Sequence, residues 1–264
     1  MSSQYNATVV GRYEVTSELF FLHVSPDDSI SNFTPGQYVA IGLQGNAPRC
    51  SSALQEKEVH EDIKLIKRAY SIGSSPEHKE YLELYIALVP DGGLTPRLAN
   101  LQRGDRLFVS PKITGTFTLK NIPEDNSATI VMVATGTGLA PFMSMLRTKS
   151  SWHPQRSFAL IHGVRFEKDL AYRDELMKLE ESSGKLRYFP VVSRETPYSG
   201  GTIKGRVLTV FERQLLTLNP SSDHVLLCGN PAMIEDAQNY LEPLGFSVYS
   251  KKNPTGNLHL EKYW

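Results

Sequence analysis

A glycine-rich turn between an apolar run and a helical stretch is the first feature of the sequence that could do chemistry. The run Ile130–Ala134 is followed by the turn Thr135–Pro141, which contains Gly136 and Gly138. Two glycines directly after a buried strand let backbone N–H groups approach a pyrophosphate, and a following helix presents its positive end to the anion. Because Pro141 stands where the dinucleotide fingerprint has its third glycine, a tight strand-to-helix turn without a ligand stays open as the alternative.

A second candidate for phosphate binding lies in the first half of the chain. The segment Arg68–Ser71 ends a strand-like run, and the glycine-rich segment Asp91–Pro96 opens a short helical stretch. An arginine, a helix start and small residues can together clamp a pyrophosphate. The ring of Tyr70 can cover an aromatic ligand. The sequence therefore predicts two phosphate-binding places, one in each half.

Cations follow several apolar runs of the second half. Arg165 and Arg194 each come directly after such a run, and Lys204 and Arg206 lie a little further along. Cations at strand ends favour a ribose that carries a phosphate, whereas a free ribose hydroxyl favours an acidic residue. Taken singly, each arginine is more often a solvated surface charge, and Glu195 is placed to neutralise Arg194.

Composition excludes several classes of function. The 28 Lys and Arg residues balance the 28 Asp and Glu residues, which argues against a protein that coats nucleic acid. Cys50 and Cys228 are the only cysteines, too few for the usual iron–sulfur cluster, and no cation beside Cys228 marks an activated thiolate. The histidines lack the spacing of a metal site. With no signal pattern and no apolar run near the ~20 residues of a membrane span, we expect a cytoplasmic protein without membrane or nucleic-acid partners.

The first half of the chain must position Arg68–Ser71, and it reads as short strands separated by turns. Alternating runs of this kind predict an antiparallel β-barrel or sandwich, interrupted by a short helix over Thr95–Leu101 that Thr95 can cap. The predicted strands are Tyr13–Val15, Leu19–Val24, Gln37–Ile41, Ile63–Ser71, Tyr81–Val89, Arg106–Val109 and Thr116–Leu119.

The second half alternates strands with helices, which predicts an α/β domain with a parallel sheet covered on both faces. We predict two domains, residues 1–124 and residues 125–264. The predicted strands are Ile130–Ala134, Phe158–His162, Leu186–Ser193, Val225–Cys228 and Phe246–Ser250. The predicted helices are Pro141–Lys149, Leu170–Ser182, Val207–Leu218 and Pro231–Leu244.

An ordered set of motifs gives the chain a family resemblance from about Val10 to Trp264. The motifs are Arg-x-Tyr-Ser at Arg68, Gly-Gly-Leu-Thr-Pro at Gly92, Thr-Gly-Thr-Gly-x-Ala-Pro at Thr135, Val191–Glu195, Leu227–Met233 and Glu261–Trp264. Each motif is weak alone, but the set in this order resembles the bacterial ferredoxin/flavodoxin–NADP reductases. That resemblance implies an FAD-binding β-barrel at residues 1–124, an NADP-binding α/β domain at 125–264, and a flavin at the seam.

The resemblance also implies which residues hold FAD. Arg68 is expected to pair with a phosphate, Tyr70 to pack against the isoalloxazine, and Ser71 to bond near the nitrogen that accepts hydride. The other expected FAD contacts are Ala69, Tyr85, Ile86, Ala87, Leu88, Gly93, Leu94, Thr95, Thr137, Tyr263 and Trp264.

The implied reaction moves hydride between NADPH and the flavin, and single electrons between the flavin and a ferredoxin or flavodoxin. Its catalytic residues are expected to be Tyr70, Ser71 and Cys228, the last beside the nicotinamide. By family position, the NADP contacts are Arg165, Ser193, Arg194 and Arg206. We expect a monomer whose acidic carrier meets a ring of cations, for which Arg97, Arg103 and Lys112 are candidates.

Two other functions remain open on the sequence. One is an NADH-linked flavin reductase component of an oxygenase or of a dihydroorotate dehydrogenase system. The other is a non-catalytic, nucleotide-sensing or scaffold protein with the same fold.

Overall fold

The computed structural model describes residues 5–58, 60–123 and 128–263. The chain divides into two compact units, Met1–Thr118 with Ala140–Thr148 and Leu119–Leu139 with Lys149–Trp264. The division differs from the predicted boundary in placing the helix after the glycine-rich turn with the first unit. As a boundary between functional domains, residue 124 stays a prediction.

Among the residues that the structure describes, six antiparallel strands build the first unit. They are β1 (Ala7–Thr16), β2 (Leu19–Pro26), β3 (Tyr38–Gln44), β4 (Leu65–Ser71), β5 (Leu82–Ala87) and β6 (Arg106–Thr114), with helices α1 (Thr95–Asn100) and α2 (Ala140–Leu146). The strand order is β4-β3-β6-β1-β2-β5. An isolated antiparallel bridge between Ile72 and Leu84 joins the two ends of this order, so the sheet closes on itself.

The strands of this barrel follow the period of two that the sequence shows. Along β1 and β2 the side chains alternate between buried and partly exposed positions, as expected of a sheet with one face on a core. Phe20, Leu22, Val39, Ile41 and Leu84 belong to that core. The core fixes the register that sets Tyr70 opposite Val39 and Ser71 opposite Tyr38 on β3.

Six parallel strands build the second unit. They are β7 (Thr129–Thr135), β8 (Ser157–Val164), β9 (Leu186–Val192), β10 (Ile203–Lys204), β11 (His224–Gly229) and β12 (Leu258–Lys262). Their order is β10-β9-β8-β7-β11-β12. The helices of this unit are α3 (Arg173–Ser183), α4 (Thr209–Glu212) and α5 (Pro231–Leu241), and short 3-10 helices lie at Leu119–Asn121, Gly136–Leu139, Lys149–Ser151, Glu167–Asp169 and Glu242–Leu244.

The central strands of the parallel sheet are buried along almost their whole length, which is typical of a sheet covered on both faces. Helix α3 ends where Gly184 adopts a left-handed conformation with φ 59°, and α5 begins where the Asn230 side chain accepts hydrogen bonds from the N–H groups of Ala232 and Met233. These are ordinary end signals for helices.

The predicted fold class, an antiparallel β-barrel followed by a parallel-sheet α/β domain, is confirmed. Three predicted elements are wrong. Thr116–Leu119 forms no strand, Phe246–Ser250 makes only isolated bridges, and helix α4 covers four residues of the predicted Val207–Leu218. Apolar runs this short fit a strand, a helix or a turn equally well, and long-range packing decides between them. No helix within the described residues is both long and apolar enough to cross a membrane.

Candidate nucleotide-binding sites

Strand β4 of the first unit ends in the Arg-x-Tyr-Ser motif. The guanidinium of Arg68 is exposed, donates to the carbonyl of Lys67 at 2.8 Å, and makes no ion pair with any residue that the structure describes. Tyr70 packs against the barrel core, and burial raises the pKa of its hydroxyl while the nearby Arg68 acts in the opposite direction. Ala69 is exposed, whereas Ser71 is only 7% exposed. The motif thus combines a cation open to a ligand with an aromatic side chain held in place.

The predicted contacts on β5 are largely internal to the barrel. Tyr85 and Ile86 are buried, and the Tyr85 ring lies 4.9 Å from that of Phe21. Ile86 is part of the barrel core, while Ala87 and the following Leu88 are half-buried. Strand β5 therefore supplies a rigid wall next to the end of β4.

The turn before α1 is compact. Thr95 is the first residue of the helix and not its N-cap, and its Oγ1 donates to the carbonyl of Val89 and accepts from the Val89 N–H. A side chain at Gly93 would collide with the ring of His60, and Leu94 is buried in the core. The predicted hydroxyl contact from Thr95 to a ligand is thus directed into the turn, and the backbone of the turn is what remains for a phosphate.

Arg97 does not belong to a surface ring of cations, so that prediction is wrong for this residue. Its guanidinium is buried, bonds to the carbonyl of Gly45 and forms an ion pair with Glu56. The hydrogen bond from Arg97 lowers the pKa of the Glu56 carboxyl against the effect of burial. Arg103 and Lys112 are exposed, so they remain candidates for the ring.

Helix α2 is tied to the barrel directly after the β4 motif. Arg147, just past the helix, pairs with Glu83 of β5 at 2.5 Å, and Glu83 also contacts His23 at 3.0 Å. Ser144 donates to the carbonyl of Ser74 at 2.7 Å. These buried contacts hold the segment that follows Ser71 in one position, and no sequence motif indicated them.

In the second unit, the glycine-rich turn after β7 packs on a second glycine turn after β11. Gly136 has φ 54° and open space where a side chain would be, whereas a side chain at Gly138 would collide with the Cys228 carbonyl. Gly229 has φ 132°, and Thr135 Oγ1 accepts from the Asn230 N–H at 3.0 Å. Gly138 is therefore required by packing, while the space beside Gly136 is free for a ligand. Thr137, predicted to touch the flavin, is only 9% exposed.

Cys228, the residue before the last of β11, carries a fully buried thiol. Burial raises the pKa of Cys228 well above its usual value, the neighbouring Glu261 raises it further, and a hydrogen bond with Tyr263 lowers it. The Tyr263 N–H donates to the Gly229 carbonyl at 3.1 Å, which fixes the penultimate residue beside the thiol. The neutral thiol agrees with an apolar role. Trp264 lies outside the described residues.

The four predicted NADP contacts are exposed at the carboxyl ends of β8, β9 and β10. The N–H groups of Ser193 and Arg194 donate to the carbonyls of Val164 and Arg165 at 3.1 and 2.9 Å, which brings the ends of two neighbouring strands together. Within the described chain, the side chains of Arg165 and Arg194 have no partner. Arg206, 84% exposed in its side chain, lies 3.9 Å from Asp236.

The neighbouring Glu195 does not neutralise Arg194. Its carboxylate accepts the backbone N–H of Glu167. Lys204 donates to Thr196 Oγ1 at 3.2 Å. The arrangement leaves exposed guanidinium groups, which bind phosphate in fixed geometry.

Comparisons with known proteins agree with both units. Residues 132–239 match the family model of the oxidoreductase NAD-binding domain. The chain is 33% identical to the flavodoxin/ferredoxin–NADP reductase of Buchnera aphidicola over all of both chains. It is 34% identical to the enzyme of the same name from Escherichia coli, over 94% of each.

Among solved structures, a ferredoxin NADP+ reductase from Neisseria gonorrhoeae with bound FAD and NADP is 24% identical and superimposes with a TM-score of 0.81, covering all of both chains. This likeness extends the sequence matches to the fold of the whole chain. The chain belongs to the flavodoxin/ferredoxin–NADP reductase family.

Proposed function

We propose that this protein is an FAD-dependent oxidoreductase that transfers hydride between NADPH and FAD, and single electrons between FAD and a ferredoxin or flavodoxin. The main support for this proposal is that relatives named flavodoxin/ferredoxin–NADP reductase match the chain over all or nearly all of its length. One chain accordingly contains both the Arg-x-Tyr-Ser barrel motif and the strand-end arginines of a parallel sheet.

The residues of the first unit fit FAD. The exposed guanidinium of Arg68 suits a flavin phosphate, because among the described residues it bonds to the Lys67 carbonyl and to no carboxylate. A phosphate can therefore accept its remaining N–H groups. Tyr70 offers a ring held against the core, and Ser71 a hydroxyl in a mostly buried place. We assign these three to the flavin, with Ala69, Tyr85, Ala87 and Leu88 around it.

The residues of the second unit fit NADPH. Arg165 and Arg194 stand at the ends of adjacent strands and have no carboxylate partner among the described residues, as a ribose phosphate requires and as an unphosphorylated ribose does not. We assign the phosphate to Arg165, Ser193, Arg194 and Arg206. The open space at Gly136 is assigned to the pyrophosphate of the same nucleotide.

FAD, when bound, supplies the conversion between two-electron and one-electron chemistry. The protein supplies alignment: Arg68 and the 92–95 turn hold the phosphates, Tyr70 the ring, and Ser71 a hydrogen bond to it. Cys228 keeps its proton on Sγ because the pKa of the buried thiol is raised, so it contributes shape and not a nucleophile. Because the chain has two cysteines, too few for the usual four-thiolate cluster, we propose that the one-electron acceptor lies on another molecule.

The remaining assignments are also proposals. We place the protein in the cytoplasm as a monomer without a nucleic-acid partner, and we assign Arg103 and Lys112 to the surface that meets an acidic carrier. Tyr263 is assigned to the flavin–nicotinamide region through its contact with Cys228.

An anaerobic titration tests the function. The purified protein loaded with FAD is titrated with NADPH while the visible spectrum is recorded, and oxidised ferredoxin or flavodoxin is then added. We expect NADPH to bleach the flavin band and the carrier to restore it. Equal reduction by NADH would favour the NADH-linked alternative, and a protein that takes up no FAD would favour a non-catalytic one.

A further inference from the structure

A buried carboxylate with four hydrogen-bond donors follows Arg165, one of the predicted NADP residues, in the sequence. The Glu167 side chain, 2% exposed, follows β8 in a 3-10 helix and pairs with Arg173 of α3 at 3.1 Å. It also accepts the backbone N–H groups of Tyr198 at 2.8 Å and Ser199 at 3.1 Å, and the hydroxyl of Thr202 at 3.2 Å. Burial acts to raise the pKa of Glu167, but the hydrogen bonds from Ser199, Tyr198 and Thr202 outweigh it and lower the pKa.

Three of the four donors to this carboxylate come from one loop, residues 193–202 between β9 and β10. The first residues of the loop are fixed by the Ser193 and Arg194 bonds to β8 and its end. Its middle is fixed by Glu167 and by Arg173, which donates to the Gly200 carbonyl at 3.1 Å. The ion pair thus holds the part of the loop that strand pairing does not reach.

The same segment also controls the charge around Arg194. The backbone N–H of Glu167 donates a hydrogen bond to the carboxylate of Glu195. This bond keeps the carboxylate of Glu195 away from the guanidinium of Arg194. If the loop lost this conformation, Glu195 would be free to pair with Arg194. The guanidinium of Arg194 would then no longer be available to bind a phosphate.

We infer that Glu167, paired with Arg173, is a positioning residue for cofactor selectivity: it holds the 193–202 loop so that Ser193 and Arg194 face a ribose phosphate beside Arg165. This inference rests on the proposed function, since it deepens the assignment of the same site to NADPH. Glu167 acts through the loop and does not itself contact the nucleotide.

The test compares Glu167→Gln with Glu181→Gln, a change of the same type at an exposed position of α3. Binding of adenosine 2′,5′-bisphosphate and of 5′-AMP to each FAD-loaded protein is measured by calorimetry, because these probes isolate the ribose phosphate from turnover. We expect the preference for the bisphosphate over 5′-AMP to be at least fivefold lower in Glu167→Gln than in the parent protein. Glu181→Gln should keep the preference of the parent protein. In both variants kcat at saturating NADPH should stay unchanged.

A second variant keeps the inference testable if Glu167→Gln folds poorly. Thr202→Val removes one hydrogen bond to the carboxylate at the end of the loop, and we expect it to lose about twofold to threefold of the same preference. An unchanged preference in the folded variants would overturn the inference. A parent protein that binds both probes equally would instead overturn the assignment to NADPH.

Discussion

The two units present their candidate nucleotide residues in opposite ways. In the barrel, Ser71 and Tyr85 are buried and Tyr70 packs on the core, with Arg68 as the exposed exception. In the parallel-sheet unit, Arg165 and Arg194 stand exposed at strand ends. A wall of buried side chains suits a cofactor that remains bound, whereas exposed cations suit a nucleotide that must enter and leave at each turnover.

The largest expected effect follows from removing the exposed cation of the barrel. Arg68→Ala should weaken FAD binding about 30- to 140-fold, because a charge-assisted hydrogen bond contributes roughly 2–3 kcal/mol and each 1.4 kcal/mol is tenfold. Quenching of FAD fluorescence on addition to the apoprotein measures this affinity. Arg68→Lys, which keeps the charge, should lose less. An affinity within twofold of the parent in Arg68→Ala would mean that the barrel wall alone retains the flavin.

Both units bury a carboxylate as an ion pair, Glu83 with Arg147 in the barrel and Glu167 with Arg173 in the parallel-sheet unit. The parallel-sheet unit also buries His259 as a neutral ring against His224. Burial, with a contribution from His224, lowers the pKa of His259 to about 4. In the unfolded chain the pKa is about 6.5, so below that value the unfolded state binds a proton that the native state does not.

Stability should therefore fall as the pH drops from 6.5 towards 5, by about 1–2 kcal/mol for this histidine. Urea unfolding at pH 7.5 and at pH 5.0 measures the loss, and His259→Gln should reduce it by that amount. If the variant keeps the full pH dependence of the parent, the histidine is already protonated in the folded protein.

Arg194→Ala tests the exposed cations of the second unit. We expect about a tenfold rise in the KM for NADPH and little change for NADH, because only the phosphorylated ribose needs the guanidinium. Steady-state kinetics with both nucleotides measure the difference, and flavin affinity should not change. Equal rises for NADPH and NADH would show that Arg194 supports the loop and does not read the phosphate.

Features adjacent in sequence could be predicted, and long-range contacts could not. The turn around Gly136 and Gly138 and the Arg-x-Tyr-Ser motif were found because a few neighbouring residues carry their chemistry. The strand Leu258–Lys262 was missed because its place depends on pairing with β11, about 33 residues earlier by register. The opposite error at Phe246–Ser250 has the same cause, since an apolar run does not reveal which strand it will join.

The same limit applies to the sites. The loop donors to the carboxylate of Glu167 lie 31 to 35 positions away, so no local pattern could indicate that it holds the loop. The sequence predicts a surface cation at Arg97 because arginines are mostly exposed. Its burial depends on Glu56, 41 positions earlier. Composition reveals which charges exist, but folding decides which of them are already paired.

The smallest expected effect concerns the hydroxyl of Tyr263. Tyr263→Phe removes the hydroxyl that acts to lower the pKa of Cys228 and keeps the ring, and the thiol, whose pKa is raised by burial, stays neutral in either case. Sulfur is a weak hydrogen-bond partner, so we expect kcat/KM for NADPH and FAD affinity to change by less than about threefold. Tyr263→Ala, which also deletes the ring, should cost more in both measurements. A tenfold fall in kcat/KM for Tyr263→Phe would place the hydroxyl itself in contact with the reacting groups. The second unit would then also contribute a largely buried side chain to nucleotide binding, as the barrel does.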